Sequence, residues 1–94
     1  MIRPSTHPGG ILLEEFVKPY GLTQKQLCKL LNTGIKTISE IYNKKRGISP
    51  VTALKLSNLF GTTPEFWMNA QSAYDLYIAY SKDKTDIDLI QKIA

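Results

Sequence analysis

Apolar side chains recur along the chain at three- and four-residue spacing, interrupted at short intervals by glycine, proline and small polar residues. That rhythm predicts about five short helices with brief turns between them. The first is expected from about Gly9 to Val17. Pro8 lies near its first turn, where a missing N–H costs little, and Ile11, Leu12, Leu13, Phe16 and Val17 give it a broad apolar face. Pro19 and Gly21 end it. The second is expected from about Gln24 to Leu31. Thr23-Gln24-Lys25-Gln26 has the form of a capping box, and Leu27, Leu30 and Leu31 are placed inward. Asn32-Thr33-Gly34 then breaks the helix.

The third helix is expected from about Ile35 to Asn43, with Ile38, Ile41 and Tyr42 inward. Its β-branched residues make a strand conceivable, but the helix signals on either side argue against one. The fourth opens on Ser49 as N-cap with Pro50 at its first position, uses Val51, Leu54, Leu56, Leu59 and Phe60, and stops at Gly61. The fifth repeats this entry with Thr63-Pro64-Glu65. It runs through Phe66, Trp67, Ala70, Ala73, Tyr74, Tyr77 and Ile78 to about Tyr80. The stretch from Thr85 to Ile93, with Ile87, Leu89 and Ile90, reads either as a short sixth helix or as a tail that needs a partner. The expected fold is all-α, in a single domain spanning residues 1–94.

Composition changes this picture mainly through charge. From Lys18 to Lys55 stand eight basic residues, Lys18, Lys25, Lys29, Lys36, Lys44, Lys45, Arg46 and Lys55, against one acid, Glu40. The rest of the chain holds four basic and seven acidic residues. A cationic middle between slightly anionic ends points to a polyanion facing the middle, although a solvated lysine-rich surface would look the same by charge alone. No apolar run approaches the roughly 18 residues of a membrane span. The stretch Met1-Ile2-Arg3-Pro4-Ser5-Thr6-His7-Pro8 lacks the apolar core of a signal peptide. Cys28 is the single cysteine, so no intramolecular disulfide can form, and a cytoplasmic setting is expected.

The second and third helices, with a three-residue turn, have helix-turn-helix spacing. Two short helices crossing near a right angle need a small side chain at the contact, and Cys28 holds that position. The residue after the first of them must tolerate a left-handed backbone, which asparagine does better than any residue but glycine, and Asn32 stands there. In such a motif the second helix enters the major groove with its N-terminal residues at the base edges. The candidate base readers are therefore Ile35, Lys36, Thr37, Ser39 and Glu40. Lys36 can donate to guanine, Ile35 can touch a thymine methyl or belong to the core, and the hydroxyls of Thr37 and Ser39 suit several bases. Glu40 can accept from cytosine or merely tether Lys36 or Lys44. Candidate phosphate contacts are Gln24, at the start of the second helix, and Asn43, Lys44, Lys45 and Arg46, the densest basic cluster. About six neutralised phosphates would give a log–log salt slope near −5.

Three stretches resemble the HigA-type antitoxins, also called virulence-associated protein I, within the Xre class of DNA-binding proteins. These are His7 to Phe16 (HPGGILLEEF), Ile38 to Ser49 (ISEIYNKKRGIS) and Phe60 to Asn69 (FGTTPEFWMN), and the likeness covers roughly Thr6 to Ala79. The resemblance implies a phage-repressor-like five-helix helix-turn-helix domain with a short helical C-terminal tail. It also implies a homodimer on a palindromic double-stranded DNA operator, repression of its own operon, and neutralisation of a HigB-type mRNA-cleaving toxin. The chain departs from the family pattern at Gly10, usually glutamate, at Lys44 and Asn32, each usually glycine, and at Cys28, usually alanine.

Rival readings have less behind them. Catalysis would need a cluster that the sequence lacks: His7 is expected in a loop or at a cap, Cys28 buried, and the adjacent Glu14 and Glu15 point apart on a helix. No metal or cofactor is expected. A pure protein-interaction module would use Tyr74, Tyr77, Ile78 and Tyr80, which also suit the dimer interface expected within residues 64–94. RNA binding would place aromatics among the basic residues, whereas these tyrosines lie outside that segment. A stand-alone Xre-type regulator without a toxin remains open at this level.

Overall fold

Among the described residues, four of the five helices begin on a side chain that closes the first turn. The coordinates are a computed structural model that describes residues 5–93. The first four residues of the stretch read against a signal peptide, and the last residue of the expected domain, lie outside it. Helix α1 (Pro8–Ile11) is capped by His7 and runs without a break into a wider π-helical stretch (Leu12–Val17), whose Lys18 N–H donates to the Leu13 carbonyl at 3.0 Å. Helix α2 (Gln24–Leu31) opens on the expected capping box. Thr23 Oγ1 accepts from the Gln26 N–H at 3.1 Å, and Gln26 Oε1 accepts from the Thr23 N–H at 2.8 Å. Helix α3 (Ile35–Tyr42) is the exception, because Gly34 at its N-cap has no side chain to offer. Ser49 and Thr63 cap α4 (Pro50–Phe60) and α5 (Pro64–Asp88), each followed by proline at the first position. The described residues contain no strand.

The core is built where these helices cross. Leu12, Val17, Leu27, Cys28, Leu31, Ile38, Ile41, Ile48, Ala53, Leu56 and Trp67 are buried together. Trp67 is enclosed, its indole N–H donating to Thr62 Oγ1 at 2.7 Å, and the Phe16 ring lies 5.1 Å from both Trp67 and Phe60. Burying such aromatics gives a small domain much of its apolar contact.

Three residues expected inside point outward: Leu30, Val51 and Leu54 are 56%, 62% and 55% exposed. The reason is which stripe each helix turns inward. Helix α4 buries Ala53, Leu56 and Ser57, with Phe60 half-buried in line, an i, i+3, i+4, i+7 set that leaves Val51 and Leu54 on the other side. Helix α2 buries Leu27, Cys28 and Leu31, so Leu30 is turned away. The small Cys28 lets the chain pack that edge, and a leucine count cannot show this.

At the C-terminus a short helical segment does follow, set off by a kink at Asp83 and not by a cap at Thr85. Helix α5 passes Tyr80, breaks its helical backbone at Asp83 (φ −116°, ψ 24°), and resumes to Asp88. Lys84 pairs with Asp88 one turn later, and Tyr80 Oη donates to Asp88 Oδ1 at 3.0 Å, so side chains on the helix surface carry it past the kink. Residues 89–93 follow α5 and are exposed.

Candidate nucleic-acid interface

The turn between α2 and α3 is set by a left-handed asparagine. Asn32 has φ 50° and ψ 51°. Its N–H donates to the Lys29 carbonyl at 3.2 Å, and the Thr33 N–H donates to the Cys28 carbonyl at 2.9 Å. These are the two bonds of a Schellman ending, and asparagine tolerates the backbone they require. Lys55, reaching from α4, donates from Nζ to the Asn32 carbonyl at 3.1 Å and to Thr33 Oγ1 at 3.2 Å. A cation thus sits at the C-terminal end of α2, where the helix dipole favours it. Lys55 was counted in the sequence only as part of the cationic middle; its distance from the motif hid this role.

Helix α3 presents its N-terminal residues to solvent. Ile35 is 58% exposed, so of its two readings, core or surface, the surface one holds. Lys36 beside it is exposed, and Thr37, Ser39 and Glu40 are half-buried. The opposite side of the helix carries the fully buried Ile38 and Ile41. Gln24, at the first position of α2, donates from Nε2 to the Ile35 carbonyl at 3.4 Å, tying the starts of the two helices together.

Past the other end of α3 comes the cationic turn. Lys44 is left-handed at φ 62°. Its N–H donates to the Ile41 carbonyl at 3.2 Å, and the Lys45 N–H donates to the Glu40 carbonyl at 2.8 Å, a second Schellman ending built on a lysine. The Lys44, Lys45 and Arg46 side chains are exposed. Asn43 is exposed, and its Nδ2 donates to the Ser39 carbonyl at 2.9 Å and closes the end of α3. Glu40 pairs with neither Lys36 nor Lys44, the partners expected from helical spacing. Its Oε1 accepts from Arg46 Nε at 3.2 Å and Nη2 at 2.9 Å, because the left-handed turn at Lys44 folds Arg46 back over the helix. The structure therefore brings Gln24 to one end of an eight-residue helix, about 12 Å long, and Lys44–Arg46 to the other, with Ile35 and Lys36 exposed at its start.

Two supports behind this face carry no signature in the helical pattern. Gly9 packs so closely on the end of α3 that a Cβ there would stand 2.2 Å from the Ile41 carbonyl oxygen. Gln71 of α5 accepts from the Ile48 N–H at 2.7 Å, just after the basic turn. His7 joins α1 to α5: its Nδ1 accepts from the Gly9 N–H at 2.9 Å, and its ring meets Tyr74 edge-on at 4.7 Å. Burial, and then the nearby Lys44 charge, push the His7 pKa below its ordinary value, against an opposing pull from Asp75. His7 is thus the cap that the sequence suggested. Burial pushes the Cys28 thiol up, in keeping with its place as a small side chain in the helix crossing. Of the tyrosines singled out for an interface, Tyr74 is half-buried against His7 and Tyr80 is bonded to Asp88, while Tyr77 and Ile78 lie half-buried between them on α5.

Known proteins share the fold that carries this face. A helix-turn-helix family model matches residues 13–67, a span that includes α2, the turn, α3 and α4. Virulence-associated protein I of Dichelobacter nodosus is 45% identical over 87 residues, which are 93% of this chain and 80% of that protein. Among solved structures, the Pseudomonas aeruginosa antitoxin HigA with the higBA promoter superposes with a TM-score of 0.90 at 35% identity, covering 98% of this chain and 100% of that one. The antitoxin GraA in complex with its operator superposes with a TM-score of 0.86 at 39% identity, covering 98% and 93% of the two chains.

Proposed function

The chain belongs to the Xre-type helix-turn-helix family that includes virulence-associated protein I and the HigA antitoxins, and from that premise we propose that it is a sequence-specific DNA-binding repressor and the antitoxin of a toxin–antitoxin pair. The observation that carries the reading is the exposed start of α3. Ile35 and Lys36 stand free there, bracketed by Gln24 on one side and Lys44–Arg46 on the other. An eight-residue helix presented this way fits the major groove, with bases read at its N-terminal end and phosphates gripped at both flanks. Thr37, Ser39 and Glu40 line the same face, Glu40 chiefly as the anchor of Arg46.

The protein acts as one domain. Its residues 64–94 serve a homodimer on a palindromic operator, with Tyr77 and Ile78 as contacts and Tyr74 and Tyr80 stiffening the helix that bears them. The toxin partner is of the HigB type. The chain's proposed work is binding, to DNA and to the toxin. No helix among the described residues is long and apolar enough to cross a membrane. As a DNA-bound repressor, its proposed site of action is the cytoplasm, on the nucleoid when DNA is bound.

The test is fluorescence anisotropy on a duplex from the gene's own upstream region against a scrambled duplex, at several salt concentrations. Nanomolar binding with at least about a thousandfold preference is expected. Weak, equal, salt-sensitive binding to both duplexes would refute the reading.

A further inference from the structure

The basic turn is held at two ends, and the second hold comes from far along the chain. At the front, the Lys44 and Lys45 amides are fixed to the carbonyls of α3. At the rear, Gln71 of α5, 23 residues away, accepts from the Ile48 N–H at 2.7 Å. Gln71 Nε2 in turn donates to Asp75 Oδ1 at 2.9 Å, one helical turn further on. A carboxylate can only accept, so Asp75 dictates which way the Gln71 amide faces and aims its oxygen at Ile48. Gly47 lies flush against this amide. A Cβ there would stand 2.8 Å from Gln71 Cδ and Oε1 and 2.9 Å from Nε2. Ile48 itself is buried, so the turn cannot shift at this end without moving α5 or breaking the bond.

We propose that Gln71 is a positioning residue for DNA binding: through the Ile48 amide and the bare Gly47 backbone it fixes where Lys44, Lys45 and Arg46 stand relative to α3. The inference rests on the reading that this turn faces phosphate. It makes α5, the helix expected to carry the dimer, part of the phosphate grip as well. Gln71 need not touch DNA for this, since the geometry of the turn is what it supplies.

The experiment compares the wild type, Gln71→Ala, Gly47→Ala and the double variant in salt-titrated anisotropy on operator and scrambled duplexes. Gln71→Ala should weaken both duplexes alike by about tenfold and reduce the magnitude of the salt slope by about one, as expected when one phosphate contact is lost. Gly47→Ala should do the same by displacing the amide, and should cost nothing further in the Gln71→Ala background. A role in stability alone would lower the melting temperature and leave the slope of the folded protein unchanged, which overturns the proposal, as would additive losses in the double variant. Hydrogen exchange of the Ile48 amide in the free protein gives a reading without DNA. It should be protected in the wild type and exchange faster in Gly47→Ala, and equal protection overturns the proposal even if Gln71→Ala fails to fold. Wild-type protein that does not prefer its operator would sink the repressor reading and this inference together. Operator preference with unchanged variants would sink the inference alone.

Discussion

Gly9 and Ile41 meet backbone to backbone: a side chain at Gly9 would begin 2.2 Å from the Ile41 carbonyl oxygen and 2.9 Å from its carbon. The start of α1 thereby sets the position of the end of α3. Gly9→Ala should force the two apart and destabilise the domain by about 1–3 kcal/mol, the usual range for overpacking. Chemical denaturation with an unchanged m-value would measure it. Gly10→Ala is the control, because its Cβ would meet only the Thr6 methyl, at 3.2 Å. Equal stability of the two variants would show that α1 yields freely at this contact.

Lys44 occupies a left-handed position with a φ of 62° while carrying one of the exposed charges of the turn. Backbone comfort and DNA contact pull in opposite directions there. Lys44→Gly should stabilise the folded protein by up to about 1 kcal/mol, since the left-handed penalty of a side chain is relieved. The same variant should bind all duplexes more weakly and lower the magnitude of the salt slope by about one. A stability gain with unchanged salt dependence would place Lys44 away from phosphate.

Glu40 and Arg46 share a two-pronged ion pair, with the Glu40 side chain half-buried. If Glu40 served mainly to read a base, Glu40→Gln would change preference at one operator position. Because its carboxylate is engaged by Arg46, Glu40→Gln should instead tighten binding to operator and scrambled duplexes alike, by a few-fold, as a negative charge leaves the face and Arg46 is released. A selective loss at one base pair would restore the reading role.

Much of this was legible in the sequence because short-range chemistry decided it. The bounds of α2, the capping box at Thr23 and Gln26, the left-handed Asn32 and the terminating Gly61 all depend on residues within one turn of each other. The exposed start of α3 followed from the motif once Ile38 and Ile41 were placed inward. What the pattern could not show depends on contacts between distant segments. Leu30, Val51 and Leu54 are as apolar as the core residues, and only the way α2 and α4 pack against the other helices decides that they face out. Lys55 and Gln71 reach the motif from 22 and 23 residues away. The stretch from Thr85 stayed open between helix and tail because the bond that ties it back to α5, from Tyr80 to Asp88, spans the kink at Asp83.

His7 links folding to pH. Its Nδ1 accepts the Gly9 N–H, so the cap requires the neutral ring, and burial beside Lys44 lowers its pKa below the ordinary 6.5. The unfolded chain therefore takes up a proton at His7 before the folded protein does. Stability from this residue is fully present above about pH 6.5 and is lost as pH falls from there through the lower folded-state value. Unfolding midpoints should begin to decline as pH falls below about 6.5, ahead of ordinary carboxylate titration. His7→Asn keeps an N-cap acceptor without a titrating ring, so it should flatten that decline while costing some stability through the lost Tyr74 contact. A variant as pH-sensitive as the wild type over this interval would mean that the His7 cap tolerates the proton.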